Sequence, residues 1–319
     1  METAKQSVPA ASFVVPLYNT GAALPKLLDA FRGLAVEGGY ELVLVNDASP
    51  DGTGDRVREL LGALPYPVTF VDLARNYGEH AAVLAGYRHA RGAFVVNLDD
   101  DLQNPVEEAL RIVERLRGGR DEVIYTWFEK KKHHPLRNLG SWFTNRAASF
   151  LIGKPKDLYL SSFRGLRREL VDRITQYRGP YPYIDGLILS ATDRIGRLQV
   201  AHRGREEGQS NYTLRRLVRL WMNMFFNFSV MPLRLAGILG IALSFLGLLM
   251  LVVVFLEKML HATPIQGWAS LMAVVSVFSG AQLLMLGVIG EYLGRTYLTL
   301  AGKPQAIARD VTRHTPEPQ

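Results

Sequence analysis

Asp99, Asp100 and Asp101 are three successive carboxylates in the run LDDDLQNPVEE, residues 98–108. Side chains on extended backbone alternate in direction, so Asp99 and Asp101 share one side and Asp100 takes the other. Anions packed this closely repel unless something positive is bound. Hard oxygen ligands select Mg2+ or Mn2+, and such ions commonly bridge carboxylates to substrate phosphates. Gln103 can add a carbonyl oxygen to Asp99 and Asp101. The plain alternative is a solvated acidic turn ahead of a helix that Pro105 starts well.

Two further runs carry chemistry. Asp47 lies in VNDASPDGT (45–53), where a carboxylate can accept hydrogen bonds from a ribose or a base. Turn chemistry is the competing explanation, since Asp, Ser, Pro and Gly all favour turns, and it is the better one for Asp51. In RNYGEH (75–80), Arg75 can reach a phosphate and Gly78 lets backbone approach closely. His80 reads as structural.

These runs all follow strand candidates. Short apolar stretches at 12–16, 41–45, 68–73, 93–98 and 122–127 alternate with helical patterns at 24–34, 53–61, 81–90 and 105–117. Strands separated by helices at this spacing imply a right-handed, mostly parallel α/β sheet. Ligands of such sheets bind beyond the carboxyl ends of the strands. Asn19, Asp47, Arg75 and Asp99–Asp101 should therefore converge on one rim. Beyond residue 128 the pattern weakens. A basic loop, EKKKHH (129–134), precedes helical spacing at 136–152, and a similar segment covers 213–228. Both combine aromatic and basic residues, as suits a membrane interface, although packing on the sheet is the simpler alternative.

The 319 residues allow about two domains. Cys is absent, which excludes disulfides, thiolate zinc sites and Cys nucleophiles. The net charge of +7 admits nucleic acid, anionic lipid or a phosphorylated substrate. The mean hydropathy of +0.05 has a local cause. Residues 235–256 form 22 residues without a charge, and residues 268–290 form 23 with only Gln282 strongly polar. At 1.5 Å per residue each reaches about 33 Å, enough for a hydrocarbon core of about 30 Å. Basic residues flank the pair on both outer sides: Arg203, Arg205, Arg215, Arg216, Arg219 and Arg234 before it, and Arg295, Lys303, Arg309 and Arg313 after it. The connecting loop has only Glu257 and Lys258. The positive-inside rule then makes the spans a hairpin with both flanks in the cytoplasm. Of the net charge, +6 lies on the part before residue 235, and the basic residues beside the spans are better explained by anionic headgroups than by DNA or RNA. The first residues, METAKQSVPAAS, have no apolar region, so no secretory leader is expected.

Taken together, PLYN (16–19), VNDASPDGT, LARNYGEHAAVLAG (73–86), LDDDLQNPVEE and GEYLGRTY (290–297) resemble the polyprenyl-phosphate glycosyltransferases of glycosyltransferase family 2. The likeness covers about residues 10–310. It implies a GT-A, Rossmann-like nucleotide-diphospho-sugar transferase domain over 1–212 and an amphipathic juxtamembrane helix over 213–234. A transmembrane hairpin over 235–290 and a cytoplasmic tail over 291–319 complete the expected organisation, in the inner membrane and as a homo-oligomer, a tetramer by resemblance. By motif match, Pro16, Tyr18, Asn19, Asp47, Arg75, Gly78, Asp99 and Asp100 would hold the nucleotide sugar. Asp99, Asp101 and Gln103 would hold Mg2+ or Mn2+. Arg137, Ser141, Arg205 and Ser210 would hold the lipid phosphate. Asp99, Asp101, Arg137 and Arg205 would be the catalytic set. The chain departs from the family at Thr20, where many members have Glu, at Asn211 in place of Lys, and at Lys303 in place of Arg. Asp185, in PYPYIDG, has no evident counterpart, and both a catalytic and a helix-capping role are open for it.

The implied reaction moves a sugar from a nucleotide-diphosphate sugar, expected to be UDP-linked, to a polyprenyl phosphate with inversion. Two alternatives remain. A processive polysaccharide synthase shares the GT-A core but needs a Q-x-x-R-W motif and more spans. A non-catalytic membrane scaffold has no reason to keep the repulsion within DDDLQ.

Overall fold

A computed structural model of the chain describes residues 8–128, 155, 158–201, 231–260 and 267–316. Those residues fall into two compact units, Met1–Leu217 with Lys303–Gln319, and Val218–Gly302.

The first unit is built on a sheet of eight strands: β1 (Ala11–Leu17), β2 (Tyr40–Asn46), β3 (Val68–Leu73), β4 (Phe94–Asn97), β5 (Val123–Trp127), β6 (Arg164–Arg167), β7 (Ile195–Gln199) and β8 (Ala308–His314). Their order is β7-β5-β6-β4-β1-β2-β3-β8. β1 pairs in parallel with β2 and β4, and β2 with β3. β6 is antiparallel between β4 and β5, and β8 is antiparallel on β3. The sheet is thus mostly parallel, as the alternation of strands and helices requires. The helices of this unit are α1 (Leu24–Ala30), α2 (Thr53–Leu61), α3 (Glu79–His89), α4 (Val106–Gly118), α5 (Arg168–Thr175) and α6 (Ile184–Ala191).

Both faces of the central strands are covered, which is why β1 and β2 read as continuous apolar runs rather than alternating ones. Phe13, Val15, Leu42, Leu44 and Phe70 pack with Leu24, Leu27, Val57, Leu61 and Ile112 on one face. On the other, α3 comes so close that a Cβ on Gly86 would lie 2.4 Å from Val14 Cγ1. α1 stops short of the expected Leu34, because the chain turns through Gly33 at φ +83°.

Pro16 sits inside β1, a central strand, where the missing N–H should cost a ladder bond. It does not. Leu98 N donates to Val14 O while Asp47 N donates to Leu17 O, so even-numbered residues of β1 face β4 and odd-numbered ones face β2. The β1–β4 register ends at Val14 and Asn97. Pro16 therefore faces the place where β4 has already turned away.

The second unit contains α7 (Met231–Leu260) and α8 (Trp268–Leu300). Both are long and apolar enough to cross a membrane, over Met231–Leu256 and Val274–Leu300. Phe245, Leu251, Leu283 and Leu293 are each more than 60% exposed, apolar surface that needs an apolar surrounding. Small residues let the two helices approach: a Cβ on Gly240 would lie 3.1 Å from Met285 Sδ, and one on Gly247 3.3 Å from Phe278.

Candidate active site

The strand order reverses between β1 and β4, since β2 and β3 follow β1 on one side and β4 begins the other. Crevices at such reversals bind ligands at the carboxyl ends of the strands. Asp100, just after β4, spans this one. Its Oδ2 accepts the Tyr18 amide at 3.3 Å and the Thr20 hydroxyl, both from the loop after β1. Asp99 turns the other way, and its Oδ2 accepts from Ser162 Oγ at 2.7 Å, just before β6. Adjacent carboxylates thus brace opposite walls of the crevice, as strand alternation requires. Asp101 is exposed, and its Oδ1 accepts the Gln103 amide at 3.1 Å. That tight turn holds Leu102 at φ +54°. The described non-glycine residues with positive φ are Asn19, Ala48 and Leu102, and they follow β1, β2 and β4. Backbone strain is concentrated on the rim that carries the candidate residues.

Burial in the crevice pushes the Asp99 and Asp100 carboxyls up. The Ser162 hydroxyl opposes this for Asp99, as Thr20 and the Tyr18 amide do for Asp100. The neighbouring carboxylates raise both further. A cation would relieve this excess of negative charge. Among the described residues no three His, Asp or Glu side chains form a ready-made cage. A Mg2+- or Mn2+-type site does not require one, because such ions are held by one or two carboxylates together with substrate phosphates. Asp99, Asp101 and Gln103 offer the hard oxygen donors that this arrangement uses.

The ends of β2 and β3 form the rest of the rim. Asp47 is buried, and its two oxygens accept the amides of Tyr77 at 2.7 Å and Gly78 at 2.8 Å. Burial raises its pKa and these two bonds oppose the rise. Asp47 is thus already engaged in shaping the loop after β3. Gly78 has φ +90° at the start of α3, a conformation that favours glycine. Arg75 is exposed, with its guanidinium 4.8 Å from the Tyr77 ring centroid. Beneath the rim, Asn46 donates to Asp72 at 2.8 Å and accepts from Ser49 Oγ at 2.6 Å.

Three further groups take their surroundings from the structure. Arg164, 2% exposed on β6, pairs with the buried Asp185 of α6, which also accepts from Tyr125 OH at 2.9 Å. Burial disfavours the Arg164 charge, but Asp185, Tyr87 and Tyr125 outweigh it. Glu79 opens α3 at the mouth of the crevice, where desolvation and then Asp99 push its carboxyl up to about 7. His80 lies edge-on to Tyr183, its Nδ1 without a partner among the described residues, and burial pushes its pKa down to about 4.

The structure therefore brings Pro16, Tyr18, Asn19, Asp47, Arg75, Gly78, Asp99, Asp100, Asp101 and Gln103 to one rim. Arg137, Ser141, Arg205 and Ser210 lie outside the described residues, as do both basic aromatic segments. Ser162, Glu79 and Arg164 were not singled out by sequence. Ser162 lies two residues before a strand that has no apolar run to announce it, and Glu79 follows the glycine of RNYGEH.

A Rossmann-like sheet of this order, with carboxylates bracing its switch point, is the GT-A fold of glycosyltransferases. The chain belongs to glycosyltransferase family 2: residues 12–175 match the model described as Glycosyl transferase family 2. It is 34% identical over 314 residues to the undecaprenyl-phosphate 4-deoxy-4-formamido-L-arabinose transferase of Pseudomonas fluorescens (strain SBW25), covering 96% of this chain and 90% of that one. It is 31% identical over 311 residues to the protein so named in Aeromonas hydrophila subsp. hydrophila, covering 96% and 95%. Among solved structures, glucosyl-3-phosphoglycerate synthase from Mycobacterium tuberculosis, in complex with Mn2+, UDP and phosphoglyceric acid, superposes with a TM-score of 0.50 at 18% identity. That match covers 68% of this chain and 76% of the other, and it shows the shared fold.

Proposed function

We propose that this glycosyltransferase moves a sugar from a nucleotide-diphosphate sugar, UDP-linked, to a polyprenyl phosphate, undecaprenyl phosphate. The reaction takes place at the cytoplasmic face of the inner membrane and inverts the anomeric centre. Its product is a lipid-phosphate-linked sugar for cell-envelope glycan or lipid A modification. The observation that carries this reading is the Asp99–Asp101 cluster at the switch point of a family-2 sheet. The full-length likeness to transferases named for undecaprenyl phosphate supports the acceptor.

The acceptor phosphate is already an anion near neutral pH, so no strong general base is required. Catalysis rests on positioning and on stabilising charge as it moves to the leaving group. A divalent metal, when bound, supplies Lewis-acid stabilisation of the departing diphosphate. Asp99, Asp101 and Gln103 hold it. The loops after β1 and β3 position the nucleoside, with Tyr18, Asn19 and Arg75 on the rim. Arg137 and Arg205 hold the acceptor phosphate, for which the guanidinium fork is suited.

The hairpin keeps the enzyme in the membrane that holds its lipid substrate. Chain before α7 and chain after α8 belong to one folded unit. Such a chain permits only an even number of crossings, which supports two spans with both flanks on one side.

The test is a panel of labelled nucleotide sugars supplied with Mg2+ or Mn2+ to membranes that contain the protein. Label is expected in the organic phase as a polyprenyl-phosphate sugar. Label in an insoluble polymer would favour a synthase, and no incorporation across the panel would remove the enzymatic reading.

A further inference from the structure

β8 follows the second apolar helix, and catalysis as described has no use for it. Most of its residues are exposed, so few apolar contacts hold it in place. Its polar contacts converge on one point. The β3–β8 register shifts between Asp72 and Leu73, at the end of β3. Just beyond, Ala74 N donates to Ile307 O at 2.8 Å, and Arg309 Nη2 donates to Ala74 O at 3.2 Å. Both backbone groups of Ala74 are thus held by the C-terminal segment. Irregularities of this kind re-aim the chain beside functional sites.

Ala74 immediately precedes Arg75. Three and four residues after Ala74 the same loop is gripped by Asp47, through the amides of Tyr77 and Gly78. Arg75 and Asn76 are therefore suspended between two clamps, one from β2 and one from β8.

The β8 clamp also reaches deeper. Arg309 Nη1 lies 3.8 Å from Asp72 Oδ2, and Asp72 is 3% exposed at its side chain. Asp72 accepts from Asn46, Asn46 accepts from Ser49, and Ser49 Oγ accepts the Asn19 amide at 3.2 Å. A line of polar contacts thus runs under the rim from β8 across β3 and β2 to the loop after β1. Arg58 also donates to Asp72 at 2.6 Å, so the buried carboxylate stays paired without Arg309. What Arg309 alone supplies is the hold on Ala74 O.

We propose that Arg309 of β8 is a positioning residue for the nucleotide-sugar donor: with Ile307 it fixes the exit of the chain from β3 and so aims Arg75. This rests on the reading of the rim as a donor site. Arg309 acts through the loop and touches neither substrate nor metal. Its loss should therefore weaken donor binding and leave the chemical step intact.

The test uses the full chain in lipid nanodiscs with Mn2+ and a set of nucleoside diphosphates (UDP, GDP and CDP) measured by calorimetry. Arg309→Ala should raise the Kd of the diphosphate that binds wild type by about three- to tenfold, the effect of losing one charge-assisted bond at a partly exposed site. The donor KM should rise in step while kcat stays within about twofold, since uniform binding is what is lost. Arg309→Lys, which keeps a donor and the charge, should recover most of the affinity. A purely structural role would instead lower the melting temperature without changing Kd, and that result would overturn the proposal. So would a fall in kcat at unchanged Kd. Wild type binding none of the diphosphates would overturn the donor-site reading and this proposal with it, an outcome distinct from a wild type that binds and a variant that matches it.

Discussion

The Tyr18 amide at the end of β1 donates to the Asp100 carboxylate at the end of β4, across 3.3 Å. The bond crosses the point between β1 and β4 where the strand order reverses. It ties together two loops that the sheet itself leaves apart, because the β1–β4 register ends at Val14 and Asn97. Asp100 thereby serves as a brace toward β1 as Asp99 does toward Ser162, and the proposed metal site draws on Asp99 and Asp101.

Substitutions along the acidic run should separate these roles. Asp101→Ala should lower kcat/KM by at least about a hundredfold, the scale of losing one preorganised electrostatic contact. Asp100→Asn keeps a carbonyl oxygen for Tyr18 and Thr20, so its loss should be about tenfold or less. Steady-state kinetics with saturating metal decides this, and equal losses would contradict the division.

Asp47 tests the β2 clamp. Asp47→Ala strands two amides, at a cost of about 1–3 kcal/mol for each buried unpaired group. Thermal melting should shift downward and the donor KM should rise. A variant with unchanged melting and unchanged KM would show that the Tyr77 and Gly78 bonds do not shape the site.

The parallel core was legible from sequence because buried strands such as LVLV in β2 are apolar on both faces, and strand ends then had to place Asn19, Asp47, Arg75 and Asp99 on one rim. What Asp47 touches was not legible, since Tyr77 and Gly78 lie 30 and 31 residues away and offer only backbone. β8, ARDVTRH, is an exposed edge strand without an apolar face, so residues 308–314 read as part of a tail. β6, RGLR, is too short to show a period. The Arg164–Asp185 pair joins elements 21 residues apart that nothing in their own spacing links.

That buried pair answers the question Asp185 raised. Its carboxylate is spent on Arg164 and Tyr125, away from solvent. Asp185→Ala should destabilise the fold by about 3–5 kcal/mol, because it leaves an uncompensated buried charge. Replacing both partners with apolar residues should destabilise it less. A stable, folded Asp185→Ala protein that has lost only kcat would instead make Asp185 catalytic.

Glu79 and His80 give the fold opposing pH dependences. The Glu79 pKa is raised from 4.5 to about 7, so the folded state holds a proton that the unfolded state has lost. Stability from this group therefore falls as pH rises through that window. The His80 pKa is lowered from 6.5 to about 4, so its contribution rises with pH between those values. Between about pH 4.5 and 6.5 the two offset each other. Glu79→Gln should remove the falling component, and melting temperature should then climb with pH across this range more steeply than in wild type. Parallel profiles for the two proteins would contradict the assignment.

The proposed sugar transfer needs a nucleotide sugar, a divalent metal and a polyprenyl phosphate together. The most direct measurement uses the purified chain in vesicles, with labelled UDP-sugars, Mn2+ and undecaprenyl phosphate, each omitted in turn. Label is expected in a lipid from which mild acid releases free sugar, and it should be lost on omission of any component and in Asp101→Ala. Equal label without undecaprenyl phosphate, or in Asp101→Ala, would contradict it.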